Sequence, residues 1–507
     1  MIFQTSFLPI DNLSRFMLFL IAFLFPLIFI YSLSYVKRNL FRYYFVLFIA
    51  FGGMVGTVLA RDLLSFYIFL EIMTVGIYFL IIDNAKKESF PAGFKYILMM
   101  FGGGILILLS FLLLYNLTGT FEIAEIARVA GTLNKSALAP IFTLFAIGCL
   151  FEIGAVPFHI WLPDAHPVAP SPVSALLSGV AIKIGAYGII RMIFTLGVLS
   201  PVLIFIGAVS MVFGVVLALK QTNVKRLLAY HSISQMGYVL LGIGVGTGLG
   251  IGGGLFHILN HAVFKALLFL CMGAVIYATG ERELNKLGGL GKRMPVTLVT
   301  FGIAALAISG IPPLNGFASK AMIAQSVSGN VFLKLAIIIT ASGTVASFVK
   351  LFRFTFLGKL PDKLKNSKDV PVLMLFPLLF LAGICLVAGI FPDKVLGNLI
   401  SPAVGSVLAF NFINVKILID TVVIIIFGAV VYMLGLKTGY MKIEKGKSAS
   451  SLPGRLSLDL IFCGAADMFT RGCVELRKLH ARNLNVNLIW IFAALVIVLL
   501  IMYNPIK

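Results

Sequence analysis

Seven ionisable side chains stand inside segments that otherwise read as hydrocarbon. Glu71 lies in "FYIFLEIMTVGIYFL", Glu152 in "FAIGCLFEIGAVPFH", Lys183 in "SALLSGVAIKIGAYG", and His257, His261 and Lys265 in "GLFHILNHAVFKALLF", while Lys320 ends "SGIPPLNGFASK". A charged side chain at the bilayer centre costs at least about 2.5–3.5 kcal/mol on insertion scales, so such groups face a partner or water. Residues four apart on an α-helix are offset by only about 40°, so the two histidines and Lys265 form one polar stripe roughly 12 Å long. Histidine titrates near neutral pH and lysine carries an exchangeable proton, so the stripe suits stepwise proton transfer through intervening water. A single membrane lysine is often an ion-pair partner or a snorkelling residue, which would account for Lys183 or Lys320 taken alone. Five separate apolar segments each holding a titratable group point instead to a proton or cation pathway.

Other polar residues rank behind this set. His159 and His166 flank a proline-rich stretch, where they either line an entrance or cap freed carbonyls, and Asp164 sits near the membrane surface. His231, in "LLAYHSISQMGY", reads as a satisfied structural histidine. No catalytic residues are expected: there is no Walker loop, Rossmann fingerprint, HExxH or nucleophile elbow, and the glycine runs "FGGGI" and "GIGGGLF" fit close helix packing. Cys149, Cys271, Cys385, Cys463 and Cys473 are scattered singly, without the spacing of a zinc or iron–sulfur site. Neither a metal nor a cofactor is expected in this chain.

The elements that carry these residues follow from composition. Sixty per cent of the 507 residues are hydrophobic, and mean hydropathy is +1.06. That composition predicts an all-α polytopic membrane protein. Spans of about twenty residues are predicted near 13–36, 41–60, 62–82, 94–116, 138–159, 172–194, 200–219, 227–246, 251–278, 296–326, 331–356, 371–391, 416–436 and 486–503. Residues 398–413 are too short and carry Pro402 and Gly405, so an interfacial or partial helix is expected there.

A formal net charge of +21 raises the question of nucleic acid, but the basic residues cluster in short loops. Lys37/Arg38/Arg42, Lys86/Lys87/Lys95, Lys220/Lys225/Arg226, Arg282/Lys286/Lys292/Arg293, Arg353/Lys359/Lys363/Lys365/Lys368 and the stretch 437–482 share one face if there are fourteen spans. The charge is then topological, with both termini outside, the bilayer and not nucleic acid as partner, and the plasma membrane as location. Asp11 and Arg15 precede a full-length span, without the basic region of a cleavable signal. Residues 455–482 mix charges with apolar residues at helical intervals, which fits either a helix lying in the membrane plane or an ordinary loop helix containing a solvated His480. Prolines 157, 163, 167, 170 and 172, and Pro312 with Pro313, mark two broken helices in the two halves of the chain. Such paired discontinuities point to an ion site between inverted repeats.

Four stretches carry a resemblance. "VPFHIWLPDAHPVAPSPVSALLSGVAIKIGAYGIIR", "NVKRLLAYHSISQMGYVLLGIG", "HILNHAVFKALLFLCMGAVIYATG" and "LAISGIPPLNGFASK" resemble the antiporter-like subunits of respiratory complex I and the D-type subunit of Mrp cation/proton antiporters. The look is nearest to the subunits of energy-converting membrane hydrogenases and their archaeal relatives, and the likeness covers roughly residues 40–400. It implies two inverted five-helix repeats with broken helices, here 41–194 and 200–356, after an N-terminal helix in 1–40. Helices in 371–436, a lateral helix at 455–482 and a last span at 486–503 would follow. It also assigns ion translocation to Glu71, Lys183, the HxxxHxxxK series His257, His261 and Lys265, and Lys320.

Two departures stand out. Glu71 arrives already in the third span, as if two helices of the usual pattern were missing. Glu152 occupies the position at which the family usually has its central lysine, so two carboxylates would face one site, sharing a proton or recruiting a cation. Glu152 then either relays protons, binds sodium, or marks an inert first half. The expected function is translocation of H+ or Na+ in a membrane subunit of a complex I-like oxidoreductase such as a membrane-bound hydrogenase. Its expected partners are other membrane subunits and a peripheral redox module, with iron–sulfur or NiFe centres confined to partner subunits. The alternatives are an Mrp-type antiporter subunit and a degenerate structural bridge.

Overall fold

The computed structural model describes residues 10–84 and 87–441. The expected lateral helix 455–482, the last span 486–503, His480, Cys463 and Cys473 lie outside the described residues. The helices are α1 Asn12–Tyr35, α2 Leu40–Leu59, α3 Leu63–Ile81, α4 Ser89–Thr118, α5 Ile123–Ala130, α6 Lys135–Ile153, α7 Leu162–Val168, α8 Ser171–Leu176, α9 Ile182–Leu196 and α10 Val202–Lys220. They continue with α11 Val224–Val245, α12 Gly248–Thr279, α13 Pro295–Ser309, α14 Asn315–Ser326, α15 Val331–Phe356, α16 Val372–Ile390, α17 Pro392–Val395, α18 Ser401–Val404 and α19 Val415–Lys437. Eleven described helices are long and apolar enough to cross a membrane, one of them the continuous Ser171–Leu196. The chain is a multi-pass membrane protein.

Helix starts follow local chemistry. The side chains of Asp11, Asp62, Asn223 and Thr247 accept first-turn backbone N–H groups of α1, α3, α11 and α12, as good N-caps do. The expected span 138–159 stops short, because Gly154 takes φ +70° at the end of α6 and Pro157, with no N–H, follows. The expected span 296–326 is two helices for the same reason: Gly310 at φ +76° ends α13, and Pro312 and Pro313 precede α14. In 398–413 the chain makes a π turn at Leu396–Ile400 and the single turn α18, and then runs irregularly to α19. The count of fourteen is therefore not reached among the described residues.

The breaks expose backbone groups that the bilayer cannot satisfy, and the protein supplies partners. At the first break the Val156 N–H donates to Ser210 Oγ at 3.0 Å, and Trp161 Nε1 donates to Phe151 O at 3.0 Å. At the second, Asn260 Nδ2 donates to Asn315 O at 2.7 Å and Lys320 Nζ to Ile308 O at 2.5 Å.

The two halves repeat one plan. An isolated antiparallel bridge joins Asp62 to Glu122 at the start of α3, and another joins Asn223 to Glu283 at the start of α11, at equal separation along the chain. Gly154 precedes a cis Val156–Pro157 bond as Gly310 precedes a cis Pro312–Pro313 bond. An odd number of crossings in each unit turns the second upside down relative to the first.

Close helix approaches rest on small residues. A Cβ at Gly237 of α11 would lie 2.6 Å from Met211 N and 2.7 Å from Gly207 O of α10, and one at Gly207 would lie 2.7 Å from Leu241 N. Gly237→Val is expected to cost about 1–3 kcal/mol through overpacking and to lower the Tm of the detergent-solubilised protein. Gly383→Val, on a helix position with nothing within 4 Å, should leave Tm unchanged.

Candidate functional site

Glu71 and Glu152 are brought together from α3 and the end of α6. Glu152 is 4% exposed, and one carboxylate oxygen of each residue is buried without a hydrogen-bond partner. Glu152 lies within range of the Glu71 charge, and both act on Tyr96 of α4. Gly104 of α4 makes the room for Glu71, since a Cβ there would fall 2.5 Å from Glu71 Oε1. Thr74 Oγ1, one turn along α3, is also buried without a partner.

Lys183 stands just after a π turn, Leu177–Ala181, in which the Ile182 N–H reaches back to Leu177 O. Widened turns of this kind are frequent at functional positions. Here the fully buried Lys183 Nζ donates to the carbonyl of Ser178 inside the turn. The turn packs on α12, because a Cβ at Gly179 would touch Ala266 Cβ at 3.6 Å and Ala262 O at 3.7 Å.

On α12 the expected stripe is present and wholly buried. The His257 and His261 rings stack at 6.1 Å between centroids. His257 is held at both ring nitrogens, by Ser319 Oγ at 2.9 Å and Gln235 Oε1 at 3.1 Å, whereas both nitrogens of His261 lack a protein partner. Lys265 Nζ donates to Leu228 O of α11 at 2.5 Å and lies over the Phe269 ring. Lys320, from α14, donates to Ile308 O and lies over the Tyr238 ring at 5.1 Å. His261 lies within range of the charges of Lys183, Lys265, Lys320 and His257, His257 within range of Lys320 and Lys183, and Lys265 within range of Lys183.

A hydrogen-bonded link joins the first unit to the second. Ser178 Oγ meets Ser232 Oγ at 2.7 Å, and Ser232 Oγ in turn donates to Leu228 O at 3.3 Å. The carbonyl that holds Lys265 is thus hydrogen-bonded, through Ser232 Oγ, to the side chain of Ser178, the residue whose carbonyl holds Lys183. Among the described residues no carboxylate lies within ion-pair distance of Lys183, Lys265 or Lys320.

The secondary residues separate into distinct environments. Asp164 pairs with Lys95 at 2.6 Å and with Arg226, at a quarter-exposed position. His166 is fully buried in α7 and stacked on Phe269 at 4.5 Å with neither ring nitrogen bonded to protein, so it caps no freed carbonyl. His159 packs edge-on against Phe213. His231 bonds Ser347 Oγ at 2.8 Å, leaving its Nδ1 without a partner.

Lys225 corrects the loop-charge reading. It is 2% exposed, with Nζ donating to Ala169 O at 2.6 Å and to Ser174 Oγ at 3.2 Å, because α11 starts below the surface rather than at it. Its neighbour Arg226 remains part-exposed. Residue types alone also missed Ser178, Gln235 and Ser319, which hold Lys183 and His257, and Asn260, which in turn donates to Ser319 and Asn315. The available signal was a polar residue within an apolar helix, as Asn260 is between the two histidines.

Residues 60–347 match the family model described as NADH:quinone oxidoreductase/Mrp antiporter, TM. The chain is 34% identical to hydrogenase-4 component B of Escherichia coli (strain K12), over 75% of this chain and 61% of that protein. It is 30% identical to the D-type Na(+)/H(+) antiporter subunit of Alkalihalophilus pseudofirmus, over 71% and 74%, and 30% identical to the N-type NADH-quinone oxidoreductase subunit of Desulforudis audaxviator, over 78% and 84%. Among solved structures it resembles a chain of the Mrp complex from Dietzia sp. DQ12-45-1b, with a TM-score of 0.81 and 25% identity over 98% of this chain and 56% of that one. It also resembles a chain of the membrane-bound sulfane sulfur reductase, an archaeal respiratory membrane complex, with a TM-score of 0.72 and 27% identity over 82% and 84%. The chain therefore spans less than two thirds of the hydrogenase-4 component and little more than half of the Mrp chain. With the helical breaks, the buried lysine series and the family match all falling within residues 60–347, this chain belongs to the NADH:quinone oxidoreductase/Mrp antiporter transmembrane family.

Proposed function

We propose that this chain is an ion-translocating, antiporter-like membrane subunit of a complex I-like oxidoreductase such as a membrane-bound hydrogenase, moving H+ or Na+ and holding no redox centre itself. The observation that carries the reading is the set Lys183, Lys265 and Lys320, buried and resting on backbone carbonyls rather than carboxylates, with the buried His261 in range of all three charges. A buried charge kept only for structure is normally paired with a counter-ion. A lysine that donates to a neutral carbonyl can hand its proton on without breaking an ion pair. Glu71 and Glu152 form the entry to the first half, with Glu152 as a relay. The 34% identity to a hydrogenase component supports partners that include a peripheral redox module with metal centres. The clustering of basic loops supports a topology with both termini outside.

A second reading is favoured by the Mrp complex, whose chain aligns with 98% of this one at a TM-score of 0.81: a subunit of a multi-subunit Mrp-type Na+/H+ antiporter. The two are separated by purifying the intact assembly from native membranes in mild detergent, then identifying partners by mass spectrometry and assaying iron. Iron with hydrogenase-like or quinone-reductase-like partners supports the first reading; an iron-free assembly of small membrane proteins supports the second.

In vesicles containing that assembly, Lys265→Met is expected to lower ion transport at least about tenfold while assembly is retained, equivalent to about 1.4 kcal/mol on the barrier. Full transport by this variant would leave the chain a structural role only. Glu152→Gln should impair transport without creating a sodium requirement if Glu152 relays protons. A shift in sodium or lithium dependence would instead make the carboxylate pair a cation site, and unchanged transport would mark the first half as inert.

A further inference from the structure

Between α13 and α15 the surface opens into a groove of about 840 Å3. Gly302 and Leu306 line one wall, and Phe348, Val349 and Phe352 the other. Leu306 and Val349 are 47% and 43% exposed, so the groove opens on the apolar surface that meets the bilayer. One end reaches Ser309 and Ile311, on either side of Gly310 at the second break, and the other is bounded by Arg353 and Lys359. Among the described residues no acidic side chain lines it.

We propose that this groove binds one anionic phospholipid, with an acyl chain between the phenylalanines of α15 and Gly302 of α13 and the phosphate on Arg353 and Lys359. Its volume lies within the range of specific small-molecule sites, about 300–1,000 Å3. Its polarity is that of a phospholipid in register with the bilayer: an apolar trough with two uncompensated cations at one end. That end lies among basic loops carrying Arg282, Lys286, Lys292 and Arg293, where anionic headgroups are attracted by about 1 kcal/mol per cation. Arg353 is oriented in advance by its hydrogen bond to Tyr432 Oη at 3.0 Å, so little side-chain entropy remains to be lost on binding. From Val345 to Arg353 the trough follows roughly 12 Å of helix. That is well short of the ~30 Å a spanning partner helix would cover and is suited to the upper part of an acyl chain. The site also has a consequence for the ion pathway: the apolar end of the groove reaches Ser309, the residue after Ile308, whose carbonyl holds Lys320, so occupancy stiffens the second break.

The test is native mass spectrometry of the intact complex titrated with phosphatidylglycerol or phosphatidylcholine. One phosphatidylglycerol per chain should be retained, with about tenfold or greater preference over phosphatidylcholine from two cations. Gly302→Leu should abolish retention: a Cβ there meets only Phe352 Cε2 at 3.6 Å, so the side chain enters the groove without displacing backbone. Lys359→Gln, at an exposed loop position, should weaken the preference for the anionic lipid and leave Tm unchanged. Equal retention of both lipids, unchanged binding by Gly302→Leu, or photocrosslinking from position 306 to protein instead of lipid would overturn the proposal.

Discussion

A buried ammonium group resting on a backbone carbonyl is the interaction on which this structure turns. It recurs at Lys183 on Ser178, Lys225 on Ala169, Lys265 on Leu228, Lys320 on Ile308, and Lys350 on Leu219 and Gln221. A carbonyl is a weaker partner than a carboxylate, but it carries a second lone pair and can keep its own helical bond while accepting the lysine. At Lys183, Lys265 and Lys320 it also leaves the ammonium without a carboxylate at ion-pair distance among the described residues. The helices are shaped to offer such carbonyls: a π turn at Leu177–Ala181 and an interruption at Gly310 bring Ser178 and Ile308 within reach. Much of the irregularity in an otherwise regular bundle lies beside these lysines.

The repeated plan explains how two halves can share one polar line while differing chemically. Asp164 and Lys320 stand the same number of residues beyond their respective cis prolines. One faces a surface pair of cations, whereas the other reaches into the interior. The seam between units is bridged by Ser178 and Ser232 at 2.7 Å, and the π turn of the first unit packs on α12 at Ala262 and Ala266, the residues next to His261 and Lys265. Because Lys183 and Lys265 belong to different units yet lie within range of each other's charge, a change of protonation at one alters the energy of the other.

Membrane-spanning length and apolar runs made the fold legible, since about twenty hydrophobic residues have few alternatives to a spanning helix. The breaks were legible from Pro157 and its following prolines and from Pro312 with Pro313, which have no N–H to continue a helix, whereas the left-handed Gly154 and Gly310 that end the helices ahead of them were not. The stripe His257, His261 and Lys265 followed from helical spacing alone. What escaped the sequence depends on depth and on partners. Lys225 looks like one more loop cation because nothing local tells that α11 begins inside the protein. Ser178 and Ser232 look like ordinary small residues because their importance lies in a contact between distant segments. The polar α11, carrying His231, Gln235 and Tyr238, is tolerated because neighbouring helices surround it, with its residues Leu227–Ala229 and His231–Gly244 fully buried.

The central claim is that one continuous path runs through both units, and a double-mutant cycle on Lys183 and Lys265 tests it most directly. Transport by the assembled complex in vesicles would be measured for Lys183→Met, Lys265→Met and the double variant, at equal assembly. A path in series predicts that each single change blocks transport and that the double variant is no worse than either, a strongly non-additive cycle. Two independent paths would instead leave about half the transport in each single variant, with full loss only in the double, and that result would contradict the account.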